Sequence, residues 1–168
     1  DIQAMVYLGQ REVLQYQSIP KTTQSNARHA GGVIDFDRKY YGTDIHWTAK
    51  DVFPNTRMTL GFAFDYMDEN RQGFENFNAD GVLGFKGNLR RNENNTLWNL
   101  DPYLQASWQM IPRVRLDAGL RYSNVHFRSK DRYIVMGNGD DSGQTDYDKV
   151  LPSAALSWKI IPSLNMYG

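Results

Sequence analysis

Along Thr56–Arg71 the side chains alternate with a period of two. Met58, Leu60, Phe62, Phe64 and Tyr66 are apolar or aromatic, whereas Arg57, Thr59, Gly61, Ala63, Asp65, Met67 and Glu69 are mostly small or charged. Successive residues of a strand point to opposite faces, so this pattern predicts a strand with one greasy and one wet face. Arg113–Arg128 repeats it: Val114, Leu116, Ala118, Leu120 and Tyr122 alternate with Arg113, Arg115, Asp117, Gly119, Arg121 and Ser123. Leu97–Met110 does so again, with Trp98, Leu100, Leu104, Ala106, Trp108 and Met110 in phase. In Val150–Ile160 the apolar set is Val150, Ala154, Leu156, Trp158 and Ile160. Ile2–Gln17 and Val33–Lys50 alternate less cleanly, the latter turning apolar at Tyr41, Ile45 and Trp47, and a seventh strand starts at Leu164. Helical periodicity is poor throughout.

The connections alternate as strictly as the side chains. Those around Lys50–Asn55, Ile111–Arg113 and Ile161–Ser163 are tight, and each contains a proline, which fixes φ and removes a ladder donor. Those at Ser18–Gly32, Gln72–Asn94 and Ser129–Asp146 are long and rich in Gly, Asn, Asp and Ser. Long structureless loops argue against an ordinary compact domain. Short turns on one side and long loops on the other mark outer-membrane barrels, with turns in the periplasm and loops outside.

An internal repeat fits the same plan. S-W-Q-M-I-P-R-V-R-L at Ser107–Leu116 returns as S-W-K-I-I-P-S-L-N-M at Ser157–Met166. Each copy reads as a strand descending to the rim, an interfacial Trp, an Ile-Pro turn and the next strand ascending. Trp98 and Trp108 share a face ten residues apart, about 33 Å at the rise of a strand. A tilt of roughly 40° reduces this to about 25 Å, the height of the apolar band between aromatic girdles. The expected interface aromatics are Trp47, Trp98, Trp108, Trp158, Tyr66 and Tyr122.

Composition narrows the function. The chain has 168 residues, one domain's worth, with 19 basic and 19 acidic side chains, so no nucleic-acid partner is expected. Cysteine is absent, which excludes a disulfide framework, a thiolate metal site and a Cys nucleophile. No apolar run reaches the roughly 18–20 residues of a membrane helix, and the first residues do not read as a signal peptide. The mean hydropathy is negative, yet 4 Trp, 10 Tyr and 8 Phe are present. A membrane barrel reconciles the two, because only every second residue meets lipid.

No catalytic constellation emerges, so no enzyme activity and no cofactor are expected. His29, His46 and His126 lack metal-ligand spacing and read as solvated or rim residues. In the segment Gly137–Asp148, Asp140, Asp141, Asp146 and Asp148 offer the hard oxygens that calcium takes. The segment does not fit an EF-hand register, and a flexible acidic loop is the alternative. Arg57, Asp65, Glu69, Arg71, Arg113, Arg115, Asp117 and Arg121 should face the barrel interior. There they would line a channel for an anionic solute, or pair with neighbouring strands or a plug. Arg57, Arg71, Arg115, Arg121, Asp140 and Asp141 are the candidate solute-binding residues.

W-N-L-D-P-Y-L-Q-A-S-W-Q, L-D-A-G-L-R-Y-S and K-V-L-P-S-A-A-L-S-W-K resemble barrel segments of TonB-dependent outer-membrane receptors. Q-Y-Q-S-I-P at Gln15–Pro20, H-A-G-G-V at His29–Val33 and G-N-G-D-D-S-G at Gly137–Gly143 resemble the YncD-type receptors more specifically. The resemblance covers essentially the whole chain. It implies a 22-stranded barrel closed by an N-terminal plug, importing a scarce solute with energy from the TonB complex. For the YncD type the solute is pyrroloquinoline quinone; a siderophore-like ligand is the wider expectation for the family. Outer-membrane lipid, the TonB complex, the small-molecule ligand, and phages or bacteriocins are the implied partners. Nothing in the chain resembles the plug or a TonB box, and the last segment is not a completed strand with a terminal aromatic. The expectation is therefore an all-β, antiparallel, up-and-down partial barrel of about seven strands, roughly a third of the whole, with two unpaired edges prone to association. Two alternatives carry different expectations. A complete eight-stranded adhesin or anchor barrel would need an eighth strand, and a soluble β-sandwich or lipocalin-like module would bury the greasy faces inside.

Overall fold

A computed structural model describes residues 1–168. Seven strands form one antiparallel sheet in sequence order: β1 (Ile2–Tyr16), β2 (Val33–Lys50), β3 (Thr56–Phe74), β4 (Leu89–Ile111), β5 (Val114–Asp131), β6 (Gly143–Ile161) and β7 (Leu164–Tyr167). A single helical turn, α1 (Lys21–Gln24), lies in the first long loop. Within this chain β1 pairs only with β2 and β7 only with β6, so the sheet does not close on itself as a complete eight-stranded barrel would.

The register brings the greasy sets of neighbouring strands into one face. Leu60 of β3 opposes Trp47 of β2 and Leu104 of β4, which in turn opposes Leu120 of β5. Leu116 opposes both Trp108 and Leu156. These side chains are exposed apart from half-buried Leu116, and Val33 is the one hydrophobic residue fully withdrawn from solvent. A soluble sandwich would have buried them against a second layer, so that alternative is overturned. The apolar face points out of the protein.

The strand tilt follows from the same register. Trp47 opposes Leu60, whereas Trp108 opposes Thr56, four residues nearer the short turns. Trp158 opposes Val114, two residues beyond the Leu116 that faces Trp108. A belt through the three tryptophans thus descends six residues over the four strand steps from β2 to β6. At about 3.3 Å per residue and 4.8 Å per step, a level belt requires a tilt of about 45°, close to that of outer-membrane barrels. The other belt, Tyr41, Tyr66 and Trp98, lies toward the long loops, with Tyr41 and Tyr66 stacked at 4.9 Å.

The two copies of the repeat build the same turn. Ile111 pairs with Val114 and Ile161 with Leu164, and each hairpin carries a register shift just before its isoleucine. In the remaining tight turn, Asp51 and Asn55 take left-handed φ of 57° and 61°, which short polar side chains tolerate.

Strand lengths depart from expectation at the long-loop end. β4 starts at Leu89 rather than Leu97, β6 at Gly143 rather than Val150, and β3 runs on to Phe74. Above the upper aromatic belt both faces meet water, so these segments show no apolar alternation and read as loop.

Candidate functional site

The opposite face of the sheet is polar, and several of its charged groups are paired across neighbouring strands. Arg38 of β2 donates from Nε (2.9 Å) and Nη2 to Glu69 of β3, whose other oxygen accepts from Asn95 at 3.2 Å. Asn99 Nδ2 donates to Asp65 at 3.1 Å. Asp101 of β4, buried, accepts from Arg121 Nε at 3.0 Å, from Ser123 Oγ at 3.3 Å and from the backbone N–H of Asn124 at 3.0 Å. Buried charges in a thin wall persist only when paired in this way.

Between these pairs lies a recess of about 560 Å³ lined by Asp44, His46, Tyr103, Gln105, Arg121 and Ser153. The Tyr103 hydroxyl donates to the Asp44 carboxylate, 3.1 Å from each oxygen, and His46 Nδ1 lies 2.9 Å from Asp44 Oδ1. The Tyr103 ring covers Gly61, where an added Cβ would lie 2.6 Å from the ring. Glycine in a strand interior is the sequence signal for such close approach, but its partner is fixed only by register.

The proposed arginines do not form one cluster. Arg57 sits at the short-turn end of β3, in a recess of about 350 Å³ shared with Ser107, Asp117 and Ser153. Arg115 pairs with Asp117 of its own strand at 2.8 Å, and Arg121 belongs to the Asp101 network. Arg71 lies at the opposite end, facing Phe36 and Glu93 across the ladder. Arg113, placed on the inner face by the alternation, lies instead with Pro112 in the turn between Ile111 and Val114.

The four aspartates of Gly137–Asp148 do not converge. Asp146 and Asp148 belong to β6, and Asp146 hydrogen-bonds His126 at 2.6 Å on the apolar side, where His126 stacks on Trp98 at 3.8 Å. Asp140 accepts from the Ser142 N–H at 2.9 Å, while the Asp141 N–H donates to Asp131. The Ser142 side chain and backbone N–H hold the Asp140 carboxyl below its ordinary range. A calcium loop is therefore not formed by these side chains as placed.

Trp47, Trp98, Trp108, Trp158, Tyr66 and Tyr122 all fall on the apolar face, in the two belts or between them. At the long-loop end the first two loops are fastened together: Arg90 donates to Glu75 and to the carbonyl of Asn26, and Gln24 and Asn76 form a buried contact.

A partial barrel wall with one lipid-compatible face and one charged inner face is the class these features define. The model of the TonB dependent receptor-like β-barrel matches residues 7–168, and the chain belongs to that family. The chain is also similar in fold to the ferric yersiniabactin uptake receptor FyuA from Yersinia pestis, with a TM-score of 0.68 and 13% identity. The match covers 99% of this chain and 24% of that receptor, so the chain spans about a quarter of the solved receptor's length.

Proposed function

We propose that this chain is a section of the barrel wall of a Gram-negative outer-membrane transporter, which imports a scarce solute with energy from the TonB complex and does no chemistry on it. The carrying observation is the pair of faces: exposed aromatic belts bounding an apolar band on one side, and paired charges around open recesses on the other. Lipid would cover the first face and water with the solute would meet the second. TonB would be engaged by a plug-bearing part of the protein outside this segment.

The solute we propose is anionic, either pyrroloquinoline quinone or a siderophore-like chelate. The loop stretches at Gln15–Pro20, His29–Val33 and Gly137–Gly143 support the first, and the similarity to a receptor named for ferric yersiniabactin supports the second. The long loops are also the natural contact for phages or bacteriocins.

The test uses the full-length protein carrying this segment, produced in a receptor-null host with and without TonB. Accumulation of labelled pyrroloquinoline quinone and of radio-iron as ferric yersiniabactin is measured, alongside fractionation of the envelope. Uptake of one probe that requires both the receptor and TonB supports the reading. A protein found in the soluble fraction, or uptake indifferent to TonB, sinks it.

A further inference from the structure

Arg11 of β1 and Arg38 of β2 are direct cross-strand partners on the polar face. Like charges placed directly opposite destabilise a sheet, so this pair needs an explanation. Both guanidinium groups lie over the same ring, Phe36, at 5.9 Å and 5.1 Å from its centroid. Arg38 spends Nε and Nη2 on Glu69. Arg11 is exposed and pairs with no carboxylate of this chain. A repulsive contact is thus kept with one guanidinium unpaired within this chain.

The walls beside it are flat and fixed. Tyr40 packs across Gly9 and Tyr7 across Gly42, each ring so close that a Cβ on the glycine would lie 2.4 Å from it. Glycines opposite both rings let them lie down against the sheet rather than project from it. With Arg11, Arg38, Asp65 and Met67, the two tyrosines bound a recess of about 370 Å³, within the range of sites for small organic ligands. The one carboxylate in it, Asp65, is already engaged by Asn99 at 3.1 Å. The recess lies level with the Tyr41–Tyr66 belt, near the middle of β1, β2 and β3.

We propose that this recess is a solute subsite for a planar aromatic carboxylate, with Arg11 as its principal anion-binding group. A guanidinium takes a carboxylate through two parallel N–H···O bonds and stacks on π-faces. The tyrosine rings supply the flat surface for the aromatic body of the solute, and the anion relieves the Arg11–Arg38 repulsion. This rests on the reading of the polar face as the inner wall of an uptake barrel.

The test measures binding of pyrroloquinoline quinone, a planar tricarboxylate, and of its trimethyl ester to the full-length receptor in detergent by titration calorimetry. Arg11→Gln is the variant of choice, since Arg38 supports buried Glu69 and its loss would disturb the wall. The expected result is an affinity for the tricarboxylate about tenfold or more weaker in Arg11→Gln, the loss of roughly one charge-assisted contact. The ester should bind weakly to both proteins and equally. The thermal midpoint of Arg11→Gln should be unchanged or higher, because a repulsion has been removed. Unchanged tricarboxylate affinity in Arg11→Gln overturns the subsite while leaving the uptake reading standing. A lowered midpoint with unchanged affinity assigns Arg11 to a structural ion pair with another part of the receptor and also overturns it. Failure of the unaltered receptor to bind pyrroloquinoline quinone overturns the subsite, and failure with ferric yersiniabactin as well removes the uptake reading beneath it.

Discussion

Gln24 Nε2 donates to Asn76 Oδ1 at 2.7 Å across fifty-two positions of sequence, and the backbone N–H of Asn76 returns a bond to Gln24 Oε1 at 3.2 Å. Gln24 is fully buried, and Asn76 Nδ2 also donates to the carbonyl of Gln17 at 2.8 Å. The loop after β1 is therefore nailed to the loop after β3 by two amide side chains. Asn76→Ala leaves the buried amide of Gln24 short of an acceptor, at about 1–3 kcal/mol, and removes one of two bonds to the Gln17 carbonyl, which keeps the Ile19 N–H. Hydrogen exchange on the full-length receptor should show lost protection across residues 17–32, with the amides of β3 unaffected. Unchanged protection there would mean that other contacts hold the loop.

Tyr103 and Gly61 make a second coupled pair, this time within the wall. Gly61→Ala places a methyl group against a ring that has no room to retreat without leaving Asp44. Overpacking of this kind costs about 1–3 kcal/mol. In the Tyr103→Ala background the same Gly61→Ala change should cost less, because the ring is gone and only the contact with His46 Cβ at 2.7 Å remains. A double-mutant cycle on urea unfolding midpoints measures the coupling. Additive effects would show that ring and glycine do not interact.

The contrast between these two pairs shows what the chain displays before it folds. The apolar face of β3 is legible residue by residue, because Met58 through Tyr66 must all meet the same medium. The upper reaches of β4, from Leu89 to Thr96, are not, since both of their faces meet water and no alternation survives. The polar face is the harder half. That Arg121 and Asp101 would meet, or that Arg11 would stand opposite Arg38, depends on register between strands, which a single sequence leaves open. The repeat of the Ile-Pro turn is the exception: identical residues at identical spacing produced the same register shift twice. Gln24 and Asn76 gave no signal, being two ordinary polar residues in separate loops.

Asp101 stands in for a missing stretch of ladder. The pairing of β4 with β5 is interrupted between Asn99↔Val125 and Tyr103↔Arg121, beside Pro102, which has no N–H to give. The Asp101 carboxylate spans the gap by accepting from Asn124 N–H, Ser123 and Arg121. Asp101→Ala leaves the Asn124 N–H and the Arg121 charge without their acceptor, about 1–3 kcal/mol for each group that stays out of water. Arg121 is partly exposed and will recover some of this from solvent. Asp101→Asn keeps the shape and an acceptor oxygen but loses the charge, so its unfolding midpoint should fall between wild type and Asp101→Ala. Equal midpoints for Asp101→Asn and Asp101→Ala would place the whole effect in the ion pair with Arg121.

The apolar band makes a prediction that depends on depth. Phe62 lies between the two belts, facing Ile45 on one neighbouring strand and Pro102 on the other, whereas Trp158 lies in the lower belt. An arginine at the middle of a bilayer costs a barrel about 2–4 kcal/mol, falling to about 0–1 kcal/mol near the interface. Phe62→Arg should therefore destabilise the full-length receptor in lipid vesicles far more than Trp158→Arg. Thr59→Arg, three residues away on the polar face, is the matched control, because its side chain would join a water-facing recess beside Gln105. It should cost little. Folding titrations in urea with all three variants separate the cases. A Thr59→Arg penalty as large as that of Phe62→Arg would mean that the two faces do not meet different media, and the placement of the sheet in a membrane would have to be abandoned.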